Sequence, residues 1–391
     1  MIRKLVFLLF VAIMSFAAHA QTDSASSHLR ISLLTCGPGD EEIYEVFGHT
    51  AVRVIDSNRH ADIVYNYGTF EYGPNFEMQF MRGKLLYCLA IEPFNGFMQE
   101  YVDAHRSVQE QVLLFNKEQA QKVSDFLQNN ALPENKYYKY DFFFDNCATR
   151  IRDIFSKPEV FGTGFKFGQT IPTDSKITFR NIINRYFYRD HWTRFGINIL
   201  LGSKIDPVMS NTDIMFLPDY LRDGVGGASV NGQKIATDPV IILPGNGNAP
   251  ATINTALLFT CFLALLTIAG LCIPKLHILG RIMSITLLVI TGLLGTLILV
   301  MWFGTDHQGC SNNYNLLWAL PTNLIAAMMV KRSRSMYSII AIILIMVSLL
   351  LHVLKVQELP MPEIAPLLLA LLFIFGTIYK RDKKKQLAAN A

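Results

Sequence analysis

The sequence predicts a two-part protein: an exported α+β domain built around an antiparallel sheet, then an all-α domain of five transmembrane helices. Three observations carry this expectation. Only 17% of the 391 residues are charged while 51% are hydrophobic, and soluble domains carry about a quarter charged residues. The first twenty residues read as a secretory signal. From Ala251 onward the chain breaks into five apolar runs separated by short polar loops.

Arg3 and Lys4 form a positive n-region, Leu5 to Phe16 an apolar stretch too short to span a bilayer, and Ala18-His19-Ala20 a small-x-small cleavage site. Residues 1–20 are therefore expected to be a signal peptide cut before Gln21. No cysteine follows the cut, so the new N-terminus is not expected to carry a lipid.

Residues 21–222 read as the exported domain. Alternating apolar positions predict strands over Ile31 to Thr35, Thr50 to Ile55, Asp62 to Tyr67, Lys84 to Ile91 and Gln109 to Phe115. Asp40 is placed to cap a short helix running to Phe47. Helical spacing covers Gly96 to His105, Lys117 to Leu127 and Asn146 to Phe155, the last with Ile151, Ile154 and Phe155 on one side. This mixed order of strands and helices predicts an α+β layer arrangement. Residues 223–250 contain GVGG, NG and GNGNAP, a turn-forming composition that predicts a linker.

The membrane part is expected over 251–380, with spans near 252–273, 280–303, 315–330, 336–354 and 360–379. Lys275 and Arg281 lie in the first loop, Lys331, Arg332 and Arg334 in the third, and KRDKKK follows the last span into a basic tail, 381–391. Basic loops stay cytoplasmic, so the C-terminus is expected inside and residues 21–222 on the outer face of the cytoplasmic membrane. The third run is short, and Pro321 and Asn323 interrupt it. With a net charge of only +4 and no basic face interleaved with exposed aromatics, nucleic acid is not an expected partner.

Three cysteines fall in the exported domain. Cys36 and Cys88 sit in strand-like sequence, where a disulfide between them or plain burial are both open readings. Cys147 is different. In DFFFDNCATRIRD, Asp145 or Asn146 caps the helix and puts the thiol in its first turn, where free amides and the helix dipole favour a thiolate. It is a nucleophile or a buried structural cysteine. A base is needed for the first role, and His49, directly after Gly48 at a strand start, is the candidate; His60, His105 and His191 read as ordinary turn or surface residues. No metal-ligand spacing occurs, and no cofactor is expected.

A histidine at a strand start preceding a cysteine at a helix start resembles the circularly permuted NlpC/P60 papain-like layout. That layout implies a third polar group orienting the imidazole from the next strand, where Asp62 and Asn66 share a face. The words LLTCGPGDEEIYEVFGHTAVRVID, DIVYNYGTFEYG and FDNCATRIRDI are together similar to the Bacteroides-type lipoprotein N-acyltransferases, over about Ile31 to Leu221 and with a five-helix tail that agrees. The resemblance implies a Cys147 nucleophile and a His49 base. It also implies transfer of a fatty acyl chain from a phospholipid to the amino group of a lipoprotein's diacylglyceryl cysteine through a thioester. The first-turn groups of Asn146 and Ala148 are the oxyanion candidates. The aromatic run Tyr137, Tyr138, Tyr140, Phe142, Phe143 and Phe144 borders an acyl groove or belongs to the core. Two other readings stay open: an anchored peptidoglycan peptidase of the same fold, and a non-catalytic envelope module.

Overall fold

In β1 (Leu29–Cys36) every residue but Arg30 is buried, the pattern of a strand covered on both faces. It pairs with β2 (His49–Asp56), which pairs with β3 (Ala61–Phe70). β4 (Leu86–Pro93), β5 (Val108–Val112), β6 (Tyr137–Lys139) and β10 (Val240–Leu243) complete a seven-stranded antiparallel sheet, ordered β10-β5-β1-β2-β3-β4-β6. β7 (Phe165–Lys166), β8 (Ser229–Val230) and β9 (Gln233–Lys234) form a small second sheet. The computed structural model describes residues 27–246, 252–328 and 335–390; the expected signal peptide lies outside them, as do Lys331, Arg332 and Arg334.

Helices cover the large sheet because each presents one apolar stripe. After α1 (Phe76–Met81), α2 (Phe94–Asp103) buries Phe97 and Tyr101 on the face formed by Leu34, Cys36, Ala51 and Val64. On the opposite face α3 (Lys117–Asn130) buries Ala120, Val123 and Leu127, its start fixed by an Asn116–Gln119 capping box. Beside it lie α4 (Cys147–Phe155), which crosses β2 and β3, and α5 (Pro158–Phe161). A separate aromatic core, including Phe47, Phe143, Phe179 and Phe216, joins α6 (Phe179–Tyr186) to the DFFFD loop. α7 (His191–Leu200) and α8 (Pro218–Gly226) follow.

Two local expectations are corrected. The segment before His49 is a 3-10 helix, Ile43–Phe47, capped by Glu42 with Glu45 rather than by Asp40. Residues 223–246 are not linker: they hold the end of α8, the β8–β9 hairpin and edge strand β10. The Asn231-Gly232 pair serves the hairpin turn with positive φ at both residues.

The C-terminal region has four long apolar helices: α9 (Thr255–Cys272), α10 (His277–Phe303), α12 (Ser335–Val353) and α13 (Met361–Asn390). Between α10 and α12 the third run is broken. A 3-10 turn at Tyr314–Leu317 leads through Pro321 into the short α11 (Asn323–Met328), because proline cannot continue a helix hydrogen-bond ladder. Yet α10 and α12 both end beside the exported domain: Asp306 N–H donates to Arg82 O (2.8 Å), and Asn181 Nδ2 donates to Glu358 (2.7 Å). The described part of the intervening chain lies along α10. It packs against Gly292 and Gly295 of α10, where a Cβ would collide with Leu324 and Ala319, the close approach that small residues permit between membrane segments. Asn323 is fully engaged there, donating to Thr291 Oγ1 (3.0 Å) and accepting from Tyr337 OH (2.6 Å), so helix packing explains it.

Candidate active site

Cys147 is the first residue of α4 and is 8% exposed. Asn146 caps the helix: its Oδ1 accepts from Thr149 N–H (2.9 Å), and Thr149 Oγ1 accepts from Asn146 N–H (2.7 Å). Its Nδ2 is spent on the carbonyls of Phe142 (2.8 Å) and Phe216 (2.9 Å). The Asn146 side chain is thus committed to fixing the turn and has nothing left for an oxyanion. Asp145 holds the same turn from outside, paired with Arg150, whose guanidinium lies 4.1 Å from the Tyr138 ring.

His49 begins β2, and its imidazole is in side-chain contact with Cys147. Gly48, at φ 75°, precedes it because a Cβ there would lie 2.5 Å from Cys36 O. His49 Nε2 lies 2.7 Å from Asn66 Oδ1 on β3. Asn66 Nδ2 in turn donates to Glu92 Oε1 (2.9 Å) on β4. A carboxylate only accepts, so Glu92 turns the amide with its oxygen towards His49. Nε2 then carries the proton, and Nδ1 is the nitrogen left for sulfur. Asp62 does not join this chain. The register pairs it with Ile55, six residues along β2 from His49 or roughly 20 Å, and it binds Arg53 through two hydrogen bonds of 2.8 and 2.6 Å.

The electrostatics favour an ion pair. Burial pushes the Cys147 thiol up, but the His49 charge, the His49 hydrogen bond and the backbone N–H groups of Thr50 and Ala148 outweigh it, and its pKa falls below the ordinary thiol value. Burial likewise opposes an imidazolium at His49, while the Cys147 charge and hydrogen bonds to Cys147 and Asn66 raise its pKa above the usual value. Cys36, the cross-strand partner of His49, behaves oppositely: burial drives its thiol up to about 12. Cys36 and Cys88 are separate free thiols, with no disulfide; Cys88 Sγ lies 3.3 Å from Thr69 Oγ1.

Gly68 was invisible as a site residue. It occupies a bulge between Tyr67 and Thr69 at φ 90°, and a Cβ built there would lie 3.6 Å from Cys147 Cβ, 3.8 Å from His49 Cε1 and 3.9 Å from Tyr140 Cε2. A glycine within a strand pattern is the available signal. Of the aromatic run, Tyr140 borders this spot; Tyr138, packed in the same core cluster as Cys147, and Phe143 are core. His60 and His105 hold turns at positive φ, and His191 Nε2 contacts Thr252 O. Among the described residues no group of three His, Cys, Asp or Glu side chains is gathered for a metal.

Three outcomes are expected from this geometry. Iodoacetamide at about pH 7 should modify Cys147 ahead of Cys36 and Cys88 in the folded protein, read by peptide mass spectrometry. Asn66→Ala should slow turnover roughly ten- to hundredfold, the loss of one charge-assisted hydrogen bond. Glu92→Leu should produce a smaller fall in kcat with KM retained.

Residues 15–184 match the family profile of the Lnb N-terminal periplasmic domain, and residues 249–386 match that of the Lnb transmembrane domain. Neither a curated protein nor a solved structure matches the chain.

Proposed function

The chain belongs to the Lnb family, with a periplasmic N-terminal domain and a multi-pass membrane domain, and membership implies lipoprotein N-acylation. From that premise we propose that it moves a fatty acyl chain from a phospholipid to a diacylated lipoprotein through a thioester on Cys147.

His49 Nδ1 takes the thiol proton, and Cys147 Sγ attacks the ester carbonyl of the phospholipid. The N–H groups of the first turn of α4, Ala148 among them, face the charge that develops on the carbonyl oxygen. The C–O bond breaks, the leaving alkoxide takes the proton from His49, and a lysophospholipid departs. The lipoprotein's α-amino group then attacks the thioester. An amide forms, the C–S bond breaks, and His49 returns the amine's proton to sulfur. Dividing the exchange in two replaces one hard acyl transfer by two easier ones, and no cofactor enters the balance. Asn66 keeps Nδ1 directed at sulfur in both halves. A cysteine at a helix start, a histidine at a strand start and an amide on the next strand also support the permuted papain-like reading of the domain.

The observation that carries the proposal is the Cys147–His49–Asn66 chain in a domain bolted to a membrane bundle. Arg194 pairs with Glu363 at the start of α13, and Asn313 donates to the carbonyls of Ile199 and Leu200 (2.8 and 2.9 Å). A cell-wall peptidase would need only one anchor. With the N-terminal domain periplasmic, the broken third segment counts as a crossing, and the C-terminus is cytoplasmic, in the inner membrane. The test is mass spectrometry of lipoprotein N-termini in cells carrying Cys147→Ala as the sole copy. Free amino termini are expected; persistent N-acylation sinks the proposal.

A further inference from the structure

Short helix α1 carries an unusual load of exposed apolar side chains. Met78 is 47% exposed, Phe80 48% and Met81 56%, and Tyr72 just before it is 82% exposed. Solvent alone gives no reason for such a patch. Its surroundings do. The chain leaves α10 through half-buried Trp302 and exposed Phe303, rings 4.6 Å apart, the aromatic signature of a helix end at the membrane–water interface. Three residues later Asp306 N–H donates to Arg82 O (2.8 Å), His307 Nε2 contacts Met81 O (3.2 Å), and Lys139 pairs with Asp306 (2.6 Å). These contacts hold the C-terminal end of α1 beside the outer end of α10, at headgroup level.

From this patch an unbroken series of rings runs to the candidate nucleophile. Phe80 stacks on Phe76 (6.4 Å), which touches Tyr72 (4.6 Å) and Phe70 (5.3 Å). Phe70 meets Tyr87 (5.5 Å), and Tyr87 stacks on Tyr140 at 4.2 Å. Tyr140 borders the space above Gly68 that Cys147 and His49 also border. The series is aromatic throughout, its outer members Tyr72 and Phe80 are exposed, and its inner member Tyr140 stands across Gly68 from Cys147. Exposed Arg82 and Lys84 stand at the membrane end of α1, where a phosphate group would lie. Methylenes laid along such a surface stay out of water, so a lipid partly drawn from the bilayer keeps its chain in apolar surroundings.

We propose that α1 and the Tyr72–Phe76–Phe70–Tyr87–Tyr140 series form the binding path for the fatty acyl chain of a membrane phospholipid, leading its ester carbonyl from the bilayer surface to Cys147. The inference rests on the acyltransferase reading and specifies how its donor arrives. The occupant is an acyl chain because the path starts at the interface and ends on the sulfur that would take the acyl group.

The test uses the full chain in phosphatidylethanolamine–phosphatidylglycerol vesicles containing a phospholipid with a diazirine in its acyl chain. Illumination followed by peptide mass spectrometry is expected to find adducts within residues 70–87. Adducts confined to the transmembrane helices overturn the proposal. In the same vesicles, the double variant Phe76→Ser/Phe80→Ser should reduce the ratio of thioester formed from long-chain phospholipid to that formed from a soluble butyrate ester by about tenfold, or about 1.4 kcal/mol. An equal loss for both donors marks a merely structural role and also overturns it. Cys147→Ala separates the two readings: adducts at 70–87 should persist while thioester disappears, and acyl transfer surviving in that variant removes the catalytic reading but leaves the lipid path standing.

Discussion

Cys147→Ala, His49→Ala and the double variant are expected to lose acyl transfer to nearly the same depth, at least about a thousandfold in kcat. The near-equality is the informative part. Neither residue of a nucleophile–base pair works alone, so the second substitution removes what the first had already disabled. Cys147→Ser should fall with them, since the groups that hold a thiolate cannot hold an alkoxide. His49→Ala has a second consequence with a definite sign. In the intact protein the Cys147 pKa is lowered, with the His49 charge and hydrogen bond the leading causes that oppose burial, and the His49 pKa is raised. Alkylation of Cys147 should therefore rise with pH through a midpoint below the ordinary thiol range. Without His49 the largest remaining influence on the thiol is burial, which favours the neutral form, and the midpoint should move upward. Stopped alkylation followed by mass spectrometry across pH reads this directly. A midpoint unchanged by His49→Ala means that the histidine is not the partner of the sulfur.

The His49–Cys147 contact was legible because both residues occupy element starts, and starts are marked in sequence. Gly48 precedes His49, and an asparagine cap precedes Cys147. Which polar residue meets the imidazole was not legible, for a geometric reason. Asp62 and Asn66 lie four apart on one strand, so alternation puts them on the same face and cannot choose between them. Register decides: β2 runs antiparallel to β3, which sets Asn66 near the His49 end and Asp62 at the far end. There Arg53 claims the carboxylate together with Glu110. Glu92 comes from a third strand and leaves no mark in the sequence of the other two. The broken third segment was half visible. Pro321 predicts the break, but Gly292 and Gly295, which accommodate it, look like ordinary small residues of α10 until the segments meet. The supposed linker failed because turn-forming residues mark hairpins as strongly as tethers; the apolar run Val240–Leu243 between prolines was the overlooked strand signal.

The largest stability effect is expected from Arg180→Met, far from the sulfur. Arg180 is 1% exposed. It grips Asp206 through Nε (2.7 Å) and Nη2 (3.0 Å), and it donates to the carbonyls of Asn198 (3.1 Å), Leu201 (3.1 Å) and Gly202 (2.8 Å). Those carbonyls end α7, the same stretch whose Ile199 and Leu200 accept from Asn313 and whose Gly202 N–H donates to Gly309 O (2.9 Å). One guanidinium therefore shapes the surface on which the loops of the membrane domain sit. Methionine fills much of its volume but takes from Asp206 its charged partner and from the three carbonyls the guanidinium donors, and breaking a buried pair from one side costs about 3–5 kcal/mol. The melting temperature of the detergent-solubilised protein should fall by roughly 10 °C. Burial already raises the Asp206 carboxyl pKa, with Arg180 opposing that rise; in the variant the opposition is gone and the folded pKa climbs further above the unfolded one. The folded state then binds the extra proton, so the penalty should shrink as pH falls below the folded Asp206 pKa and grow as pH rises through it. Arg180→Met/Asp206→Leu, which removes both charges, should recover part of the loss at neutral pH. A double variant as unstable as the single one would mean that the lost carbonyl contacts, rather than the stranded carboxylate, hold the two domains in register.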